Sequence, residues 1–316
     1  MVAGAIAFLF PGQGSQEVGM GRALAEASKA AAAVWAEADA ALGFPLSRLC
    51  FEGPAEDLGL TANTQPAVLT ASVAAAAALA ERGVSPDLAA GHSLGEYSAL
   101  VVGGALRFAE AVRLVRRRGE FMQEAVPVGT GAMAALMGVD LAAAEQVCAE
   151  AAQGEVVGVA NFNSPGQIVI AGHRTAVERA VAGAAARGAK KSVMLPVSAP
   201  FHCALMKPAA DRLAAELDRI TVAAPRIRIV RNVDGGVTTS ADEVKPFLVQ
   251  QVASPVRWTA CVERLAGEGA TAFLEVGPGR VLTGLLKRTL DGVRGHAVED
   301  PASLEKAVAA LAGGAP

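Results

Sequence analysis

Aromatic residues make up 4% of this 316-residue chain and charged residues 19%. With 28 basic side chains against 31 acidic ones, the net charge is −3. No global field attracts a phosphate backbone, so general nucleic-acid binding is excluded. The four cysteines, Cys50, Cys148, Cys203 and Cys261, form no CxxC pair and no rhythm. They exclude a disulfide framework or a zinc site and read as reduced thiols of a cytoplasmic protein. The first ten residues lack a basic n-region and run straight into Pro11-Gly12, which favours a buried strand over a signal peptide. The longest apolar run, Ala67 to Ala80, contains Thr70 and Ser72. It falls short of the ~20 residues that cross a bilayer, so it reads as a buried helix and no membrane partner is expected. Disorder is excluded by what is abundant: 52% hydrophobic residues, much of that alanine, and a mean hydropathy of +0.37. The length exceeds the roughly 100–200 residues of one domain, so two structural units are expected.

Strand and helix signals alternate early in the chain. Ala5–Phe10 is an apolar run closed by Pro11-Gly12, a helix is predicted from Pro66 to Ala80, and Leu88–Ala90 is a second short run. Gly91-His92-Ser93-Leu94-Gly95 then leads into a helix through Val102, which indicates an α/β unit with a mostly parallel sheet. The middle reads differently. Strands at Met133–Val139, Val156–Ala160, Gln167–Ala171 and Ser192–Leu195 combine with helices at Ala142–Gln153 and Thr175–Ala186. That order, β-α-β-β-α-β, is the split unit of a ferredoxin-like domain, with a turn at Asn163-Ser164-Pro165-Gly166. Gly129-Thr130-Gly131 and Pro196 to Pro200 are its predicted hinges. After Phe201 the α/β rhythm returns, with strands at Arg226–Val230 and Ala272–Val276 and a helix from Arg280 to Leu290. The expected architecture is an α/β-hydrolase-like domain of residues 1–127 and 199–316, interrupted by a ferredoxin-like α+β subdomain of residues 128–198.

Gly91-His92-Ser93-Leu94-Gly95 is a G-x-S-x-G pentapeptide between a predicted strand and a predicted helix. Such a turn projects a serine Oγ at the carboxyl edge of the sheet, and the Leu94 N–H at the helix start is placed to hold an oxyanion. The bland alternative is a glycine-rich turn with an incidental serine. Pro11-Gly12-Gln13-Gly14-Ser15-Gln16 invites a dinucleotide reading, but Glu17 stands where the third glycine belongs and would oppose a pyrophosphate. A second oxyanion donor from the Gln13 backbone suits the loop better. A serine nucleophile needs a base, and four histidines are available: His92, His173, His202 and His296. His202 gains weight from its Pro-preceded loop at the return into the main domain. Cys203 as a nucleophile is weak, because a small buried thiol is the default. In the basic stretch Arg113 to Arg118, helical spacing sets Arg118 apart from Arg116 and Arg117 and turns it inward. A buried arginine needs an anion, and a substrate carboxylate supplies one.

Together these motifs resemble the malonyl-CoA:acyl carrier protein transacylases and the acyltransferase domains of polyketide and fatty-acid synthases. The likeness runs from Phe10-Pro11-Gly12-Gln13-Gly14-Ser15-Gln16 through Gly91-His92-Ser93-Leu94-Gly95-Glu96-Tyr97 and Arg118-Gly119 with Phe121-Met122-Gln123. It continues through Asn163-Ser164-Pro165-Gly166-Gln167 and Pro200-Phe201-His202 to Gln251, Pro255 and Glu275-Val276-Gly277-Pro278-Gly279. The resemblance implies that Ser93 takes the malonyl group, with His202 as its base oriented by Gln251 in place of a carboxylate. It implies an oxyanion hole from Gln13 and Leu94 and a malonate carboxylate paired with Arg118. Phe201, His92 and Asn163 would line the substrate pocket. No metal or cofactor is implied; malonyl-CoA is the substrate, and phosphopantetheine arrives on acyl carrier protein. A monomer is expected. One departure is Ser254 before Pro255, where the family pattern has a larger side chain. Two rivals remain in view: a hydrolase built on Ser93, Asp234 and His296, and a catalytically dead carrier-protein scaffold. Lys190, Lys191 and Arg187, with Lys287 and Arg288, are candidate docking sites for an acidic carrier protein.

Overall fold

A computed structural model describes residues 4–313. The two ends of the expected domain bounds, residues 1–3 and 314–316, lie outside that range, as does the start of the segment weighed against a signal peptide. Ten strands form two sheets among the described residues. They are β1 (Ala5–Phe10), β2 (Leu88–Gly91), β3 (Gly131–Met137), β4 (Val157–Ser164) and β5 (Gln167–His173), followed by β6 (Lys191–Met194), β7 (Arg228–Val230), β8 (Val237–Thr238), β9 (Ala270–Val276) and β10 (Gly295–Val298). The larger sheet has the order β10-β9-β1-β2-β7-β8 and is parallel except for the β7–β8 pair. The smaller has the order β4-β5-β3-β6 and is antiparallel throughout. The chain is thus a mixed α/β fold in which a second sheet is formed by a segment in the middle of the sequence.

Both faces of the larger sheet are covered, so its central strands carry no polar alternation. β1 is buried from Ala7 to Phe10, and all four residues of β2 are buried. One face packs on the helix Thr61–Glu81, in which sixteen residues are buried. That helix starts five residues before the predicted start at Pro66. Its opening turns are held by side chains, because Thr64 Oγ1 donates to the Leu58 carbonyl at 2.6 Å and Asn63 Nδ2 to that of Asp57 at 2.8 Å. Among the described residues no helix is long and apolar enough to cross a membrane.

Two further expectations shift. β4 extends through Asn163 and Ser164, so the turn narrows to Pro165-Gly166 and Asn163 lies on a strand. Gly131 is already paired in β3, and a Cβ there would sit 2.4 Å from the Pro200 ring. The two crossings between the sheets therefore touch.

Candidate active site

A cavity of about 550 Å³ lies between the two sheets. The loop after β1 (Pro11 to Gln16) and the elbow after β2 (His92 to Leu94) form one wall, and Met133, Asn161, Asn163, Gln167 and Val169 of the small sheet form the other. It opens at the carboxyl ends of neighbouring parallel strands, where α/β sheets place their ligands.

The elbow is built by its glycines. A Cβ on Gly91 would fall 1.8 Å from the Gly95 carbonyl carbon, and one on Gly95 would fall 2.1 Å from the Phe10 carbonyl oxygen. Strand, turn and helix Gly95–Val102 can approach this closely only without side chains there. Ser93 is forced to φ 52°, a left-handed conformation costing a non-glycine residue about 1–3 kcal/mol. Asn232, fully buried beyond the end of β7, holds it there. Its Oδ1 accepts from the Ser93 N–H at 2.7 Å, and its Nδ2 donates to the Gly91 carbonyl at 2.8 Å.

His202 also has a positive φ, 60°, and its Nε2 lies 2.7 Å from Ser93 Oγ. Its Nδ1 lies 3.0 Å from the main-chain carbonyl of Gln251. A carbonyl only accepts, so Nδ1 carries the hydrogen and Nε2 presents a lone pair to the serine hydroxyl. Burial, reinforced by the Arg118 charge, pushes the His202 pKa down to about 3, so the ring is neutral near pH 7. The sequence expectation that Gln251 orients the histidine needs one correction: the main chain does so. Ser254 leaves this intact, its N–H bonding the same Gln251 carbonyl at 3.4 Å. The Gln251 side chain turns elsewhere. Its Nε2 donates to the Ser93 carbonyl at 3.0 Å and to Glu96 Oε2 at 2.8 Å, and its Oε1 accepts from Arg118 Nη2 at 3.0 Å.

Arg118 is buried on the inner face of helix Phe108–Glu124, over the ring of the chain's one tyrosine, Tyr97. Nη1 donates to Gln65 Oε1 at 2.8 Å and Nη2 to Ser93 Oγ at 3.1 Å. Among the described residues it makes no ion pair, and its Nε has no partner. Neutral amides hold the guanidinium beside the serine and leave its charge for an incoming anion.

Among the described residues the Gln13 and Leu94 amides donate to no protein acceptor. They belong to loops in contact, since a Cβ on Gly12 would lie 2.5 Å from the His92 carbonyl oxygen. His92 points away from the serine. Its Nε2 lies 2.9 Å from Asn163 Oδ1, and its ring packs on Trp258. Phe201 lines the cavity beside His202. Asp234 is committed to Arg231 and to the Gly236 N–H, and His296 lies on the outermost strand β10. Neither lines the cavity, so the Ser93–Asp234–His296 triad is not assembled. Cys203 bonds the Pro200 carbonyl, and burial pushes its thiol up to about 11.

The acyl transferase domain family matches residues 7–313 of the chain. The malonyl CoA-acyl carrier protein transacylase of Escherichia coli K12 is 54% identical over 96% of this chain and 98% of its own. The chain belongs to the malonyl CoA-acyl carrier protein transacylase family. A solved acyl carrier protein S-malonyltransferase from Vibrio cholerae superposes with a TM-score of 0.94 at 51% identity, covering 96% of this chain and 99% of that one. A malonyl-transacylase solved in complex with its type II PKS acyl carrier protein superposes with a TM-score of 0.94 at 50% identity, with the same coverage.

Sequence reasoning missed three side chains that the structure brings to this site: Gln65, Asn232 and Glu96. Gln65 stands in the polar stretch Thr61 to Gln65, just before the apolar run, so nothing local marked it as buried. Asn232 follows a predicted strand of a parallel sheet, at the end where function gathers.

Proposed function

We infer that the protein moves a malonyl group from malonyl-CoA to the phosphopantetheine thiol of acyl carrier protein, supplying the extender unit for fatty-acid synthesis. The observation that carries this is a buried, unneutralised guanidinium 3.1 Å from a serine hydroxyl that also faces a neutral histidine at 2.7 Å. A simple esterase has no use for that cation, whereas a malonyl half-thioester brings the carboxylate that satisfies it.

Ser93 Oγ attacks the thioester carbonyl carbon while its proton passes to His202 Nε2. The oxyanion is received by the Gln13 and Leu94 amides, and loss of one such donor costs on the order of 10²–10³ in rate. Collapse breaks the C–S bond, and the CoA sulfur leaves with the proton held by His202. The carrier thiol then gives its proton to His202, attacks the malonyl-serine and regenerates Ser93. Arg118 holds the malonyl carboxylate through both halves. Phe201, His92 and Asn163 shape the pocket. No metal or cofactor takes part in these steps.

Residues 1–127 and 199–316 form the catalytic body and residues 128–198 the insert, acting together as a cytoplasmic monomer. Carrier docking falls to exposed basic residues, of which Lys287 and Arg288 lie on the helix Val281–Thr289 that lines the cavity through Val281, Leu282 and Leu285. Lys190, Lys191 and Lys287 are exposed and unpaired among the described residues, while Arg187 is engaged by Glu150 and Arg288 by Gln167. Lys287→Glu is expected to raise KM for the carrier and leave that for malonyl-CoA unchanged; an unchanged carrier KM removes this residue from the surface.

Mixing the protein with malonyl-CoA should add one malonyl mass, absent in Ser93→Ala, by intact-protein mass spectrometry. A wild-type chain that gains no mass would be a carrier-binding scaffold.

A further inference from the structure

Glu96 lies in the first turn of helix Gly95–Val102, almost fully buried, and takes no direct part in the chemistry above. Its Oε2 accepts two hydrogen bonds, from the Asn232 backbone N–H at 3.0 Å and from Gln251 Nε2 at 2.8 Å. These two residues govern different parts of the site. Asn232 pins the Ser93 amide in its left-handed turn, and Gln251 touches both the Ser93 carbonyl and Arg118.

A carboxylate oxygen only accepts and a guanidinium only donates. A carboxamide between them therefore has one satisfied orientation, NH₂ toward Glu96 and oxygen toward Arg118. With a neutral apolar residue at position 96, Gln251 Nε2 is held chiefly by the Ser93 carbonyl, at 3.0 Å, and the carboxamide can swing about that bond. The buried acid and the Ser93 carbonyl together fix the polarity of this amide, and through it the lie of the guanidinium. Burial of a carboxyl group is expensive unless it is well bonded, and among the described residues Glu96 makes no ion pair within 4 Å. Its pKa is pushed up to about 7, chiefly by burial, against the lowering effect of the Gln251 and Asn232 hydrogen bonds.

We propose that Glu96 is a positioning residue for acyl-group selection: through Gln251 it aims Arg118 at the malonyl carboxylate, and through Asn232 it keeps Ser93 in register with that cation. This inference rests on the malonyl-transfer reading, which the wild-type mass gain tests separately.

The experiment compares Glu96→Gln and Glu96→Ala with wild type, each normalised to the fraction of Ser93 that acylates. The readout is kcat/KM for malonyl-CoA divided by that for acetyl-CoA, which lacks the carboxylate. Glu96→Ala should lower this ratio about tenfold, with acetyl transfer falling much less. Glu96→Gln keeps the volume and one accepting oxygen but removes the charge and can turn an NH₂ toward Gln251, so it should lower the ratio about threefold and remain folded by circular dichroism. A wild-type ratio in either folded variant overturns the proposal, however far its melting temperature falls. So does collapse of Glu96→Gln, which would make Glu96 a stability residue alone. If wild type itself gains no malonyl mass, the function is wrong and the ratio has no meaning; if it gains mass and the ratios hold, only the role of Glu96 is wrong.

Discussion

Ser93 shares its hydroxyl between a lone pair on His202 and an N–H of Arg118, and the two demands set its chemistry. A base works only while unprotonated, and His202, pushed down to about 3, stays neutral until strong acid. Since Glu96 also titrates, the clean measurement is acetyl-serine formation in the Glu96→Gln background. There the acid limb is expected below about pH 4. Removing the Arg118 charge takes away the second cause of the depression, so Arg118→Ala should move that limb to higher pH in pre-steady-state profiles. A limb that moves down contradicts this electrostatic account. For malonyl-CoA the same substitution should cost on the order of 10² in kcat/KM, the loss of about 3 kcal/mol of charge-assisted bonding. Ser93, His202 and Arg118 were legible by where they stand in the sequence: in a G-x-S-x-G turn, on a Pro-preceded loop, and on the inward phase of a basic helix. Glu96 and Asn232 were not, since their importance lies in which partners the fold gives them, and the two stand 136 positions apart in sequence.

The elbow shows how an element can be read from its smallest residues. Strand β2, the turn and helix Gly95–Val102 pack so closely that Gly91→Ala must push backbone against backbone. It should destabilise the protein by about 3 kcal/mol, at the top of the overpacking range, in chemical denaturation. Gly284 is the opposite case: it is exposed inside helix Val281–Thr289, and a methyl group added there would meet nothing within 4 Å. Gly284→Ala should stabilise by roughly 0.5–1 kcal/mol through helix propensity, read as a higher denaturation midpoint. β1 has its predicted bounds because an unbroken apolar run ended by Pro-Gly has one reading in a parallel sheet. The helix at Thr61 reads short in the sequence because Pro66 signals a start, whereas tertiary side-chain bonds carry the helix back past it. The two-residue β8 and the edge strand β10 hold too few residues for any periodicity to show.

At the scale of the molecule, the smaller sheet is joined by main-chain bonds to the loop at Val256, between helices of the larger unit, as well as by the cavity the two sheets share. The Phe162 N–H of β4 donates to the Val256 carbonyl at 2.8 Å, and the Val256 N–H donates to the Ala160 carbonyl at 2.9 Å, a few residues beyond Gln251. Backbone pairing of this kind should couple their unfolding. Tryptophan fluorescence, from Trp35 and Trp258 in the larger unit, and labelling of Cys148 in the core of the smaller one should give one denaturant midpoint. Two separated midpoints would mean that the sheets unfold independently. The interrupted order of the chain was legible because a block of antiparallel signals sits inside a parallel rhythm. The joint at Val256 was not, since a lone bridge between distant segments leaves no periodic mark. The contact of Gly131 with Pro200 has a different consequence, for how such a chain can be rebuilt. Where a segment leaves and rejoins a body at adjoining points, it behaves as a cassette. A middle segment of equal span that kept the pairing at Val256 is expected to be exchangeable without stretching the frame that holds Ser93, His202 and Arg118. Pocket breadth would then change while transfer to Ser93 persists in an acylation assay.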